Sequence, residues 1–186
     1  IDDLKIAKVI AGRLVNREDV YFKDDKFIIK CPNGYIETDE IHGNAIWITH
    51  KKIRGQKVKE SKVISYLSEC ETRTVLRLIR KDIVLGIGCK RNTDSEKLFK
   101  FVNDILEQEN IDIRAVEKIA SINIKSDEKA ILDLAVNLKC DLTFFSSQEI
   151  SEVEHKYDGS EFVKKSIGVS AVSEPVIELA GGNIIV

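Results

Sequence analysis

The 186-residue sequence has no methionine, two prolines, three histidines and one tryptophan, and its aromatic fraction is 6%. With so little proline and only ten glycines, it is neither a collagen-like nor a low-complexity chain. A hydrophobic fraction of 43% excludes a disordered chain. Apolar runs stop at about five residues, far short of the roughly 20 that a membrane-spanning helix needs, so no membrane association is expected. The opening Ile1-Asp2-Asp3 lacks a basic or long apolar leader, so no secretory signal is expected. The cysteines (Cys31, Cys70, Cys89, Cys140) lie 39, 19 and 51 positions apart, without a Cys-x-x-Cys pair. His42, His50 and His155 are scattered, so neither a zinc site nor a triad is expected. Free thiols in a reducing cytoplasm are the expectation.

Neither sign of charge dominates, the net being −2, but the halves differ. Residues 1–81 hold 17 Lys and Arg against 12 Asp and Glu, and residues 82–186 hold 12 against 19. Such scattered cations do not make a nucleic-acid surface. The one dense basic run, from Lys51 to Lys59, reads as a solvated loop.

Leu4, Ile6, Val9, Ile10 and Leu14 recur at helical spacing, predicting a helix over 3–15. Val20–Phe22 and Phe27–Ile29 flank Lys23-Asp24-Asp25-Lys26, a hairpin pattern. Ala45–Thr49 reads as a strand and Glu69–Lys81 as a polar connection between lobes, with an apolar subset able to pack. The second half alternates strongly. Strands are expected at 83–88, 120–124, 142–145 and 184–186. Helices are expected at about 98–110, from Ser126, after Ser146, over 161–167 and from Ser173, with Pro175 at the helix start. The fold class is therefore α/β. Two α/β lobes are expected, 1–81 and 82–186, the second a mainly parallel sheet with helices on both faces.

Three strand-to-helix junctions carry the candidate chemistry. Gly86-Ile87-Gly88-Cys89-Lys90-Arg91-Asn92-Thr93 joins a strand to a helix, where open α/β sheets bind ligands. Thr93 and Glu96 have capping-box spacing, and Lys90 and Arg91 add positive charge. The arrangement suits a carboxylate or phosphate, and it equally describes a tight turn with a solvated basic pair. Arg91 replaces the third glycine of a dinucleotide fingerprint, and no Gly-Lys-Ser/Thr follows to make a P-loop. Cys89 stands near a helix start and two cations, which would lower a thiol pKa, although a structural cysteine is the simpler reading. The second junction holds Ser121, Lys125 and Glu128, and the third is Val169–Pro175 with Glu174. Acidic residues in a first helical turn are often only dipole partners.

These three motifs, in this order and spacing, resemble the CbiG/CobE C-terminal domain of cobalamin biosynthesis over about residues 82–186, and residues 1–81 resemble the CbiG middle region diffusely. Lys90 stands where the family commonly has a second Arg and Asn123 where it usually has Asp, and the CbiG N-terminal domain is absent from this sequence. The resemblance implies the anaerobic branch of porphyrin and corrin metabolism. It implies a fragment of cobalt-precorrin-5A hydrolase, which opens the ring-A δ-lactone and releases acetaldehyde. It further implies a cobalt-corrinoid ligand and, as possible partners, other cobalamin-pathway enzymes. The cobalt belongs to the substrate, so no cofactor or protein metal site is expected. Gly86, Gly88, Cys89, Lys90, Arg91, Thr93, Ser121 and Lys125 become candidate substrate-binding residues, and Glu128 and Glu174 candidate bases. A non-catalytic tetrapyrrole carrier of the CobE type is the alternative. An unrelated anion-binding regulatory domain is a third class.

Overall fold

A computed structural model describes residues 3–41, 43–52 and 74–185. It divides into two compact units, Ile1–Arg80 and Lys81–Val186.

In the first unit, helix α1 (Leu4–Val15) begins where the Asp3 carboxylate accepts from the Lys5 N–H. Ile10 on its inner face joins Val20 and Leu76 in the core, with Ile6, Leu14, Tyr35 and Ile46 around them. The sheet runs β2 (Ile36–Glu37), β1 (Val20–Asp24), β3 (Asn44–Thr49), β4 (Val75–Ile79), and every pairing is parallel.

Two expectations fail here. Residues 27–29 form no strand, so there is no hairpin; Phe27 and Ile28 are exposed, and Phe27 adopts φ 53°. The cause is Asp24. Its buried carboxylate accepts from the N–H groups of Lys26, Ile28 and Ile29 and from Arg80 Nη2, wrapping the chain into a turn. A carboxylate that collects backbone donors competes with a ladder for the same groups. Residues 75–79 are no linker either. They form β4, with Leu76 buried beside β3. His42, most of the basic run (53–59), Cys70 and residues 69–73 lie outside the described residues.

The second unit carries β5 (Ile83–Gly86), α2 (Ser95–Gln108), β6 (Val116–Ile122), α3 (Lys129–Leu138), β7 (Asp141–Phe145), α4 (Ser147–Val153), α5 (Glu161–Ile167) and α6 (Ser173–Leu179). Its parallel sheet has the order β5-β6-β7. Strands laid down in one direction by crossovers of one hand put α2 and α3 on the same face, and these helices pack together. On the other face Ala120 and Ile122 meet Ile150 of α4, Val169, Val172 and Val176 of α6. Central β6 is thus buried on both sides, each large aliphatic contributing about 1.5–3 kcal/mol.

The expected strand over 184–186 does not form in the described residues 184–185. Gly181 and Gly182 turn the chain back against α6 instead; a Cβ on Gly182 would lie 2.9 Å from Ile177 Cγ2. Pro175 occupies the third helical position rather than the first, which a first turn tolerates because its N–H groups lack intrahelical acceptors.

Candidate functional site

The carboxyl ends of β5 and β6 and the start of α6 bring the three sequence motifs to one edge of the second unit. The strand order β5-β6-β7 has no reversal there, and α6 packs against β5 and β6 instead. A Cβ on Gly86 would lie 2.0 Å from the Ser173 carbonyl oxygen, so only glycine lets α6 begin against β5. Gly88 is exposed, and a Cβ there would meet only Val172 at 3.8 Å.

Ser121 is fully buried and donates its hydroxyl to the Ile87 carbonyl at 2.7 Å, tying β6 to the first loop. Glu128 does the same from the next turn. It is 3% exposed, and its two oxygens accept from Asn92 N at 3.2 Å and Thr93 N at 3.1 Å. The Thr93 hydroxyl donates to the Lys90 carbonyl, and Asp94, not Thr93, caps α2 by accepting from Lys97 N. The capping box expected from Thr93 and Glu96 is therefore displaced by one residue. The backbone N–H donors of the first loop are in part consumed: Asn92 and Thr93 by Glu128, and Ile87 N by the Ala120 carbonyl.

The cations divide into different kinds. Arg91 is clamped, donating to Asp127 Oδ1 at 2.5 Å and to the Ile124 carbonyl at 2.8 Å. Sequence reasoning had no signal for Asp127 as its partner, 36 positions away. Lys90 is exposed. Lys125, on a 3-10 turn over Asn123–Lys125, is 8% exposed and lies 3.9 Å from Glu128 Oε2.

The surroundings of Cys89 oppose activation of its thiol. Burial dominates and pushes its pKa up, against the opposing influence of Thr93, Lys125 and Arg91. A raised thiol pKa works against a nucleophilic role. Glu174, half-buried in the first turn of α6, accepts from the Ser173 hydroxyl at 2.8 Å. The approach to α6 is held by Glu154, which accepts from Ser170 N and Oγ. Burial works against ionisation there, but these bonds outweigh it and hold the carboxyl below its ordinary range.

A cleft of about 330 Å³ lies elsewhere, between α2 and α3, lined by Phe99, Val136 and Asp133 among others. Asp133 is already engaged by Ser95 and Lys129. A wider recess in the first unit, lined by Phe27, Glu37, Asp39 and Glu40, is acidic and ill suited to a polyanion. Among the described residues no three His, Cys, Asp or Glu side chains are arranged to hold a metal ion, and no helix is long and apolar enough to cross a membrane.

The family described as Cobalamin synthesis G C-terminus matches residues 83–186. The chain belongs to that family. Cobalt-precorrin-5A hydrolase of Salmonella typhimurium is 33% identical over 99 residues, 53% of this chain and 28% of the relative. The enzyme of that name from Priestia megaterium is 26% identical over 102 residues, 55% of this chain and 27% of the relative. This chain thus spans under a third of these curated relatives. A solved structure of CobE, a protein from the cobalamin (vitamin B12) biosynthetic pathway, is 25% identical with a TM-score of 0.48, covering 54% of this chain and 75% of CobE. All three likenesses concern a little over half of the chain, and the family match assigns that half to its second unit.

Proposed function

We propose that this chain is a portion of a cobalt-precorrin-5A hydrolase, holding the cobalt-corrinoid while its ring-A δ-lactone is opened and acetaldehyde is released. The observation that carries the reading is the meeting of three family motifs on one edge of the second unit: Gly86 against Ser173, Ser121 on Ile87, and Glu128 on Asn92 and Thr93. Residues 1–81 are read as the middle region of the same enzyme. The cobalt is substrate cargo, so the reaction asks for no resident cofactor. Handover to other enzymes of the pathway is part of the same reading.

Lactone opening needs a base to activate water and donors for the developing oxyanion. Glu128 is a brace, since both of its oxygens already serve backbone N–H groups. Glu174 is the better candidate base: one oxygen is engaged by Ser173, and its helix starts at the shared edge. The peripheral acetate and propionate arms suit the cations Lys90 and Lys125.

Acetaldehyde release from cobalt-precorrin-5A, measured with this chain and with a longer relative, tests the reading. Release by the longer protein that falls at least tenfold on Glu174→Gln supports the base assignment. A smaller loss, under about 1.4 kcal/mol of barrier, removes Glu174 from the chemistry. Corrinoid binding by this chain without release would favour the carrier reading of the CobE type.

A further inference from the structure

We propose that Lys125 is the ammonium that receives a carboxylate arm of the ligand, and that Arg91 is a clamp within the fold rather than a ligand contact. The assignment rests on the corrinoid reading above and specifies which charge does the binding.

A lysine ammonium has three N–H donors, and taking it out of water is costly unless acceptors replace the water. Lys125 is 8% exposed, and its ion-pair partner, Glu128 Oε2, stands at 3.9 Å, beyond hydrogen-bond distance, with the Asp127 carboxylate also acting on its charge. The Glu128 carboxylate is turned to the first loop, where Asn92 N and Thr93 N occupy its two oxygens. The stem of Lys125 is therefore buried while its ammonium, bonded to no protein acceptor, keeps contact with water and can exchange that water for a carboxylate. Glu128 Oε2, the oxygen 3.9 Å from Lys125 Nζ, also accepts from Asn92 N, which puts the ammonium beside the first loop at the carboxyl end of β6.

Arg91 is the opposite case. Its two terminal nitrogens already donate to Asp127 and to the Ile124 carbonyl, which pins the first loop to the second. Lys90 is exposed and keeps its hydration. The ligand class follows from the local balance. Arg91 offsets Asp127, and Lys125 stands beside Glu128. With Lys90 counted, three cations face two carboxylates, so the edge carries one surplus positive charge and not the two a dianion would ask for, and a phosphate would meet Glu128 at close range. A single carboxylate fits.

The full chain is titrated by absorbance with cobyrinic acid, a corrinoid with free carboxylates, and with its heptamethyl ester. Lys125→Met is expected to weaken binding of the acid about ten- to a hundredfold and to remove most of the preference for acid over ester. Lys125→Arg is expected to restore a large part of it. Arg91→Ala is expected to lower thermal stability more than acid affinity. A Lys125→Met variant that folds and binds the acid as tightly as the parent overturns the assignment and leaves the corrinoid reading standing. A parent that binds neither acid nor ester overturns both. A second readout needs no variant: bound acid is expected to slow alkylation of Cys89 but not of Cys140, which precedes β7 at the opposite edge of the sheet. Binding of the acid with Cys89 alkylated at its unliganded rate overturns the assignment even if Lys125→Met does not fold.

Discussion

At Glu128 a single carboxylate connects two loops, and its removal tests whether it is a brace. Glu128→Ala leaves the Asn92 and Thr93 N–H groups without their acceptor and Lys125 without its neighbour. Urea unfolding is expected to report a loss of about 1–3 kcal/mol. A purely catalytic residue would leave the midpoint unchanged. The two glycines of the first loop are expected to behave differently. Gly86→Ala drives a Cβ into the Ser173 carbonyl, backbone against backbone, and is expected to cost at the upper end of about 1–3 kcal/mol. Gly88→Ala has room beside Val172 and is expected to stay within about 0.5 kcal/mol of the parent. Asp24 gives the pH dependence. Burial opposes its ionisation, but the Ile29 and Lys26 N–H groups and Arg80 outweigh that and hold its pKa below the ordinary 3.8. The stabilisation is therefore complete above that ordinary value and is lost as the pH falls through the lower folded value. Asp24→Asn is expected to flatten this acid limb in a series of melting curves.

At the scale of elements, α2 separates two readings of one short motif. Thr93 and Glu96 have the spacing of a capping box, yet Asp94 accepts from Lys97 N and starts the helix. Asp94→Ala is expected to destabilise the second unit by about 0.5–2 kcal/mol, measured by chemical denaturation. Thr93→Val removes only the hydroxyl bond to the Lys90 carbonyl and is expected to cost about 0.5–1.5 kcal/mol, with α2 itself intact. A short polar run before a helix offers several cap candidates, and which one wins depends on what else holds the loop. Here Glu128 takes the Thr93 N–H from a distant turn, and Asp94 is left to cap. The capping box of α4 was legible because Ser146 and Glu149 satisfy each other without outside help. The hairpin expected at 20–29 failed for the reverse reason. The turn is real, but the partners of β1 are β2 and β3, and nothing in residues 27–29 records that.

Over the whole molecule, each unit closes its own parallel sheet and its own core. Calorimetry is expected to resolve two transitions, with Asp24→Asn moving one and Gly86→Ala the other. A single transition shifted by both substitutions would contradict this. By itself, the sequence determined the α/β class, the alternation of strands and helices after residue 82, and the family, because periodicity and junction motifs are local properties of the chain. It also determined which residue types gather at strand ends. Only the tertiary structure decided which of those charges are spent. Asp127 reaches Arg91 across 36 positions, Arg80 reaches Asp24 across 56, and Glu128 reaches back to Asn92. Burial, which the sequence did not measure, outweighs the cations around the Cys89 thiol, and it covers the stem of Lys125 while leaving its ammonium without a bonded protein acceptor. The physical reason is one of range. Hydrogen bonding and desolvation depend on distances of a few ångströms in space, and separation along the chain carries no measure of those distances.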